Sequence, residues 1–124
     1  MIYGVGTDVV EIERGEKLWA RFGARAAGKL LMAAELAEFE QARNRGRYLA
    51  RAFAAKEAFV KALGTGFHGV SYRDAGALRA PEERPRLVFS PAMERMLSQR
   101  GIVRSHLSLS DEAGLILAFV VLEH

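Results

Sequence analysis

The sequence predicts a single α+β domain spanning residues 1–124, with helices gathered in its first half and strands mostly in its second. Three observations lead there. Apolar residues recur at helical spacing over Glu11–Phe22, Ala33–Ala42 and Arg47–Leu63. Short alternating or β-branched runs bounded by turn residues crowd the stretch after residue 70. The 124 residues, 50% of them hydrophobic, suffice for one domain-sized core, and no repeat, low-complexity tract or linker divides them.

Ile2–Val10 (IYGVGTDVV) reads as an opening strand, interrupted by glycine and ending near Asp8. In Glu11–Phe22, Ile12, Trp19 and Phe22 share one helical face, while Arg14, Lys17 and Arg21 share another. Ala33–Ala42 is a short amphipathic helix. Arg47–Leu63 is the longest helix, rich in alanine and closed by Gly64, a good left-handed terminator. Gly64–Gly69 is a flexible turn. Strands are expected at Val70–Tyr72, Gly76–Arg79 and Arg86–Ser90, with the turn segment APEERP before the last. Pro91 suits the first turn of a helix running to Arg100. Val103–Ser110 and Leu115–Glu123 form a closing hairpin around Asp111–Gly114.

The absence of cysteine excludes disulfides, thiolate metal sites and a cysteine nucleophile, so any metal is held by carboxylates or by the three histidines. A strand-like run directly follows Met1, without a secretory leader pattern. The longest apolar stretch, Leu115–Leu122, is too short to span a bilayer. A cytoplasmic protein with no membrane partner is the expectation.

The net charge of +3 is unevenly spread. Arg14, Lys17, Arg21, Arg25 and Lys29 face a single acid, Glu16, and Arg43, Arg45, Arg47 and Arg51 face none. Such clusters favour an anionic partner, or else they are ordinary solvated helix faces. A small basic nucleic-acid-binding module is the alternative function they raise. It fits poorly, because the aromatic residues do not interleave with the basic ones as a stacking platform requires.

Three constellations carry chemistry. In GVGTD the third glycine of a dinucleotide fingerprint is missing, which leaves Asp8 as a carboxylate at a strand end, or as a helix cap. In the helix that carries FAAKEAFVKALGTG, Leu49, Phe53, Val60 and Leu63 fall in one arc of a wheel turned by roughly 100° per residue. Lys56 falls inside that arc, an anomaly unless it meets a partner, with Glu57 and Lys61 on its edge at salt-bridge spacing. The glycine turn that follows adds backbone N–H groups suited to phosphate oxygens. In HLSLSD, His106, Ser108 and Ser110 share one strand face, lining a site or meeting water, and no GxSxG elbow supports a serine hydrolase. Asp8 and Glu57 together suit a hard cation, and Mg²⁺ is the natural one, since it takes few carboxylates and prefers substrate phosphates.

GVGTDVVEIER at Gly4–Arg14, FAAKEAFVKALGTG at Phe53–Gly66 and HLSLSDEAGLILAFVVLE at His106–Glu123 resemble, in this order, the holo-acyl-carrier-protein synthases. These are the short bacterial class of 4′-phosphopantetheinyl transferases, and the match spans essentially the whole chain. The resemblance implies transfer of 4′-phosphopantetheine from coenzyme A to a serine of apo-acyl carrier protein, releasing adenosine 3′,5′-bisphosphate. It implies Asp8 and Glu57 as Mg²⁺ ligands and Lys61 as the lysine near the phosphates. It implies coenzyme A contacts at Arg51, Gly64 to Gly66, the Arg84–Arg86 neighbourhood and His106. Carrier-protein contact falls on the first helix, where Arg14, Arg21 and Arg25 form an i, i+7, i+11 stripe suited to an acidic helix. The serine proton is left open between Asp8, Glu57 and a metal-bound water. The implied fold is α+β, a long central helix on a small, mainly antiparallel sheet, assembled as a homotrimer with active sites between subunits. Two positions depart from the pattern: Asp111 stands where many relatives have histidine, and Met32 where a threonine commonly starts the next helix.

Overall fold

The axis of the molecule is a 19-residue helix, and the computed structural model arranges the rest of residues 1–124 around it. In chain order the elements are β1 (Ile2–Glu11), α1 (Ile12–Phe22), α2 (Ala24–Leu30), α3 (Ala33–Glu40), α4 (Arg45–Leu63), β2 (Ala75–Leu78), β3 (Arg86–Phe89), α5 (Pro91–Gln99), β4 (Arg104–Glu112) and β5 (Leu115–Glu123). The axial helix α4 starts where Asn44 Oδ1 accepts from the Arg47 N–H at 2.9 Å, and ends at Gly64 with φ 86°. Most of its side chains are buried, as its alanines allow.

The strands divide into two antiparallel sheets, β1-β5-β4 and β2-β3. In the larger one, Gly6, Asp8 and Val10 of β1 lie opposite Val120, Ala118 and Ile116 of β5. These positions face α4, and the three β5 side chains are fully buried against it. The approach is very close: a Cβ at Gly4 would lie 1.9 Å from the Ala62 carbonyl oxygen, and one at Gly6 1.9 Å from that of Ala58. Only glycine admits a strand at this distance from a helix. The larger apolar core joins α4, β5 and α5, and a smaller one around Leu31, Phe39, Tyr48 and Leu49 joins α2, α3 and α4.

One helix is added to the expected elements and one expected strand is corrected. Ala24–Leu30 shows no clear periodicity in sequence, yet after Gly23 (φ 54°) breaks α1 it resumes as α2 and buries Ala27 and Leu30. Val70–Tyr72 is not a strand. The Ser71 N–H donates to Asp74 Oδ2 at 2.8 Å and the Asp74 N–H to the Ser71 carbonyl at 3.0 Å, a local turn that replaces a ladder.

Lys56, the charge on the apolar arc, is 1% exposed. Its ammonium donates to Glu35 Oε1 at 2.6 Å and to the Ala75 carbonyl at 2.5 Å. Glu35, also fully buried, accepts from the Met32 and Ala77 N–H groups, each at 3.0 Å. A Cβ at Gly76 would lie 2.6 Å from the Glu35 carboxyl carbon, so that glycine makes room for the pair. The Glu35 bond to the Met32 N–H also supplies half a capping box where residue 32 has no capping hydroxyl. Burial lowers the Lys56 pKa and the Glu35 charge opposes that shift. One ion pair thus ties α3, α4 and β2 together.

Lys56→Met strands the Glu35 charge and is expected to destabilise the fold by about 3–5 kcal/mol in urea denaturation. Lys56→Met/Glu35→Gln should recover part of that loss, because no orphaned charge remains.

Candidate active site

The contact of β1 with α4 brings three ionisable side chains together from opposite ends of the sequence. Asp8 lies on the helix-facing side of β1, two residues past Gly6. Lys61, in the last turn of α4, reaches back to it: its ammonium lies 3.2 Å from Asp8 Oδ1 and 2.9 Å from the Thr7 carbonyl oxygen. Glu57 sits one turn before Lys61. Partial burial raises the Glu57 pKa first and the charge of Asp8 raises it further, against the pull of Lys61 and Arg14. Two carboxylates with so few cations between them suit a small hard cation. No cluster of three or more metal-ligating side chains forms anywhere in the chain. A two-carboxylate set beside a lysine fits Mg²⁺, which completes its shell with substrate phosphates and water.

The glycine turn follows directly. Gly64, Gly66 and Gly69 have φ of 86°, 57° and 72°, with open space where their side chains would be. The Gly64 N–H, expected to be free for phosphate, instead donates to the Val60 and Lys61 carbonyl oxygens at 2.9 and 3.2 Å. It closes the helix rather than facing a ligand.

Other expected residues stand apart. His106 pairs in register with Val121, on the face of the sheet away from α4, and its Nε2 lies 2.7 Å from Glu123 Oε2. That hydrogen bond chiefly, with Arg104 beside it, holds the Glu123 carboxyl below its usual range. Within one chain, therefore, His106 and Asp8 occupy opposite faces of the same sheet. Arg51, over the Tyr48 ring at 5.4 Å, lines a small cleft of about 110 Å³ with Arg79, Pro85, Ser110 and Asp111. Arg86 follows Pro85 at the exposed start of β3. This cleft shares no residue with Asp8, Glu57 and Lys61. Asp111 is taken up by Arg47, whose Nε lies 2.6 Å from its Oδ2.

The basic stripe is not carried by one helix, since Arg25 belongs to α2. Arg14, Arg21 and Arg25 nonetheless border a single groove of about 500 Å³. Lys17 and Lys29 complete its cationic rim, no acid lines it, and its floor is apolar. Arg14 also turns inward, its guanidinium 4.5 Å from the centre of the Phe53 ring. The second arginine group is dispersed: Arg45 lies over Trp19 and Phe39, Arg47 pairs with Asp111, and Arg51 covers Tyr48.

The sequence reading missed an aromatic stack beside the carboxylates. Tyr72 lies between Phe53 and Phe67, with ring centres 5.9 and 4.2 Å away. Phe53 precedes Glu57 by four residues, so helical spacing alone places its ring on the Glu57 side. Tyr72 was hidden by its assignment to a strand.

Asp8→Asn removes one of the two negative charges and frees Lys61, so the Glu57 pKa is expected to fall. Carboxyl-carbon NMR titration of Glu57 in the metal-free protein measures this, and an unchanged midpoint contradicts the pairing.

Comparison with known proteins places this geometry. The family model described as the 4′-phosphopantetheinyl transferase superfamily matches residues 4–118. A holo-[acyl-carrier-protein] synthase of Neisseria meningitidis is 48% identical over 124 residues, covering 99% of each chain. The crystal structure of the holo-[acyl-carrier-protein] synthase from Neisseria meningitidis superposes with a TM-score of 0.93 at 47% identity, covering 100% of both chains. That of the Helicobacter pylori synthase in complex with coenzyme A superposes with a TM-score of 0.81 at 28% identity, covering 96% of this chain and 99% of the other. With its motifs in order along nearly the whole length, the chain belongs to the 4′-phosphopantetheinyl transferase superfamily, in its holo-acyl-carrier-protein synthase branch.

Proposed function

We propose that this protein transfers 4′-phosphopantetheine from coenzyme A to a serine hydroxyl of apo-acyl carrier protein, with Mg²⁺ held by Asp8 and Glu57. The observation that carries this reading is the carboxylate pair at the junction of β1 and α4, with Lys61 at its side. The serine oxygen of the carrier forms a bond to the phosphorus that bears pantetheine as its proton passes to a base at the site, Asp8, Glu57 or a water; the bond to the bridging oxygen breaks, and adenosine 3′,5′-bisphosphate leaves. The nucleophile comes from the partner, so the chain needs none of its own. Bound Mg²⁺ would polarise a phosphoryl oxygen and neutralise charge developing on the leaving group. Lys61, tethered by the Thr7 carbonyl, presents its ammonium toward the same phosphates. The cationic groove bordered by Arg14, Arg21 and Arg25 suits an acidic helix of the carrier protein. The cytoplasm, where coenzyme A and carrier protein meet, is the setting this reading implies, and no helix is long and apolar enough to cross a membrane.

A homotrimer completes the reading. The outer face of the larger sheet carries Val5, Val9, Leu117 and Phe119, all exposed. Their register partners put them side by side on the face opposite α4. An apolar patch of this kind favours burial against another copy. His106 lies on this same face, so a neighbouring copy is the route by which it reaches a coenzyme A bound at Asp8 and Glu57.

Incubation with coenzyme A, Mg²⁺ and several apo-carrier proteins is expected to add the mass of one phosphopantetheine to a carrier. A carrier mass unchanged in every case overturns the transferase reading. Asp8→Ala and Glu57→Ala should each abolish transfer with circular dichroism unaltered, and full activity in either contradicts its role as a ligand. Phe119→Glu places a charge in the apolar sheet face. Sedimentation should then find monomers, with transfer lost in parallel.

A further inference from the structure

We propose that Tyr72 is a binding residue for the pantetheine arm of coenzyme A, its hydroxyl donating a hydrogen bond to an amide carbonyl of that arm. The inference rests on the transferase reading above. Its own basis is the construction of the aromatic stack. The Tyr72 ring packs against both Phe67 and Phe53, and Arg14 in turn lies over Phe53, so a cation and three rings support one another. The backbone on either side of Tyr72 is pinned as well: the Ser71 N–H donates to Asp74 Oδ2 at 2.8 Å and the Arg73 N–H to Ser71 Oγ at 3.1 Å. The Tyr72 hydroxyl is left without a partner in the chain, on a ring that cannot readily turn away.

Position assigns the ligand. Phe53 is one helical turn, roughly 6 Å of rise, before Glu57 on the same side of α4. Tyr72 and Phe53 also line the groove that continues between α1, α2 and α4. A pyrophosphate held at Asp8, Glu57 and Lys61 therefore sends one of its substituents across this stack. The nucleotide is rigid and heavily charged. The pantetheine arm alternates methyl and methylene segments with amides, which suits an aromatic wall carrying a single polar group.

Calorimetric titration of the protein, in Mg²⁺, with coenzyme A and with adenosine 3′,5′-bisphosphate tests this, because the second compound has no arm. Tyr72→Phe keeps the ring and the stack and removes only the hydroxyl. It is expected to weaken coenzyme A binding by roughly three- to tenfold, with the bisphosphate affinity unchanged. Equal weakening for both compounds, or no change for coenzyme A, overturns the assignment, as does a change confined to the KM for carrier protein. Wild-type transfer measured in parallel separates the two readings. Transfer intact with coenzyme A affinity unaltered in Tyr72→Phe removes this inference alone, whereas a wild type that transfers nothing removes both.

Discussion

The contact of β1 with α4 through Gly4 and Gly6 is the constraint on which the rest of the structure depends. A side chain at either position would drive its Cβ to 1.9 Å from a helix carbonyl oxygen. With none there, the strand lies directly on the helix, and Asp8 emerges two residues later against the last turns of α4. Site geometry, sheet position and the direction of the outer sheet face all follow from that one close approach. A glycine pair, Gly15 and Gly46, serves the same purpose where α1 crosses the start of α4. Side-chain volume is given up where backbone must meet backbone, and the lost packing is recovered by the alanines and aliphatic residues of α4 and β5.

A second constraint fixes how α4 is rotated about its own axis. Lys56 and Glu57 are neighbours with opposite fates. One turns inward and is consumed by Glu35 and the Ala75 carbonyl; the other turns toward Asp8. The inward charge has a fully hydrogen-bonded partner, so its role is register: α3, α4 and β2 fit together in the one arrangement that satisfies it. The outward charge has a like-charged neighbour and no dedicated donor. Burying one of two adjacent charges completely is what leaves the other in a defined place.

What the sequence could disclose was what lies within one element or one motif. Glu57 and Lys61 share a helix edge, and Gly64 ends that helix, by spacing alone. Asp8 joins them by its chemistry, as a second carboxylate suited to the same hard cation, and the family pattern agrees. Lys56 was legible as an anomaly, but its answer, Glu35, lies 21 residues away on another helix, and no periodicity connects them. The Val70–Tyr72 strand failed because an Asp74 side chain captured backbone groups that a ladder needs. The stripe of Arg14, Arg21 and Arg25 was drawn on one helix, yet it runs over two, joined at Gly23. His106 was correctly placed on a polar strand face, but which way that face looks depends on β5 lying between β4 and β1. Long-range pairing decides such questions.

The electrostatics of Glu57 link fold to chemistry. Its pKa is raised in the folded chain above the ordinary 4.5, first by burial and then by Asp8. The folded state therefore holds a proton there more tightly than the unfolded state does, and the associated stability is full below pH 4.5 and lost as pH rises through the folded value. Ionisation of Glu57 is disfavoured by its partial burial and by the second carboxylate beside it. The backbones that carry the two carboxylates are fixed relative to each other, because the buried Lys56 sets the rotation of α4 and β1 is seated on the helix backbone. Lys61 offsets only part of the repulsion between the two carboxylates, and an added positive charge would lower it further. On the proposed reading such a scaffold would present the two carboxylates and Lys61 to a cation and its phosphates already in place, and that preorganisation is the part of phosphoryl transfer a protein is best able to supply.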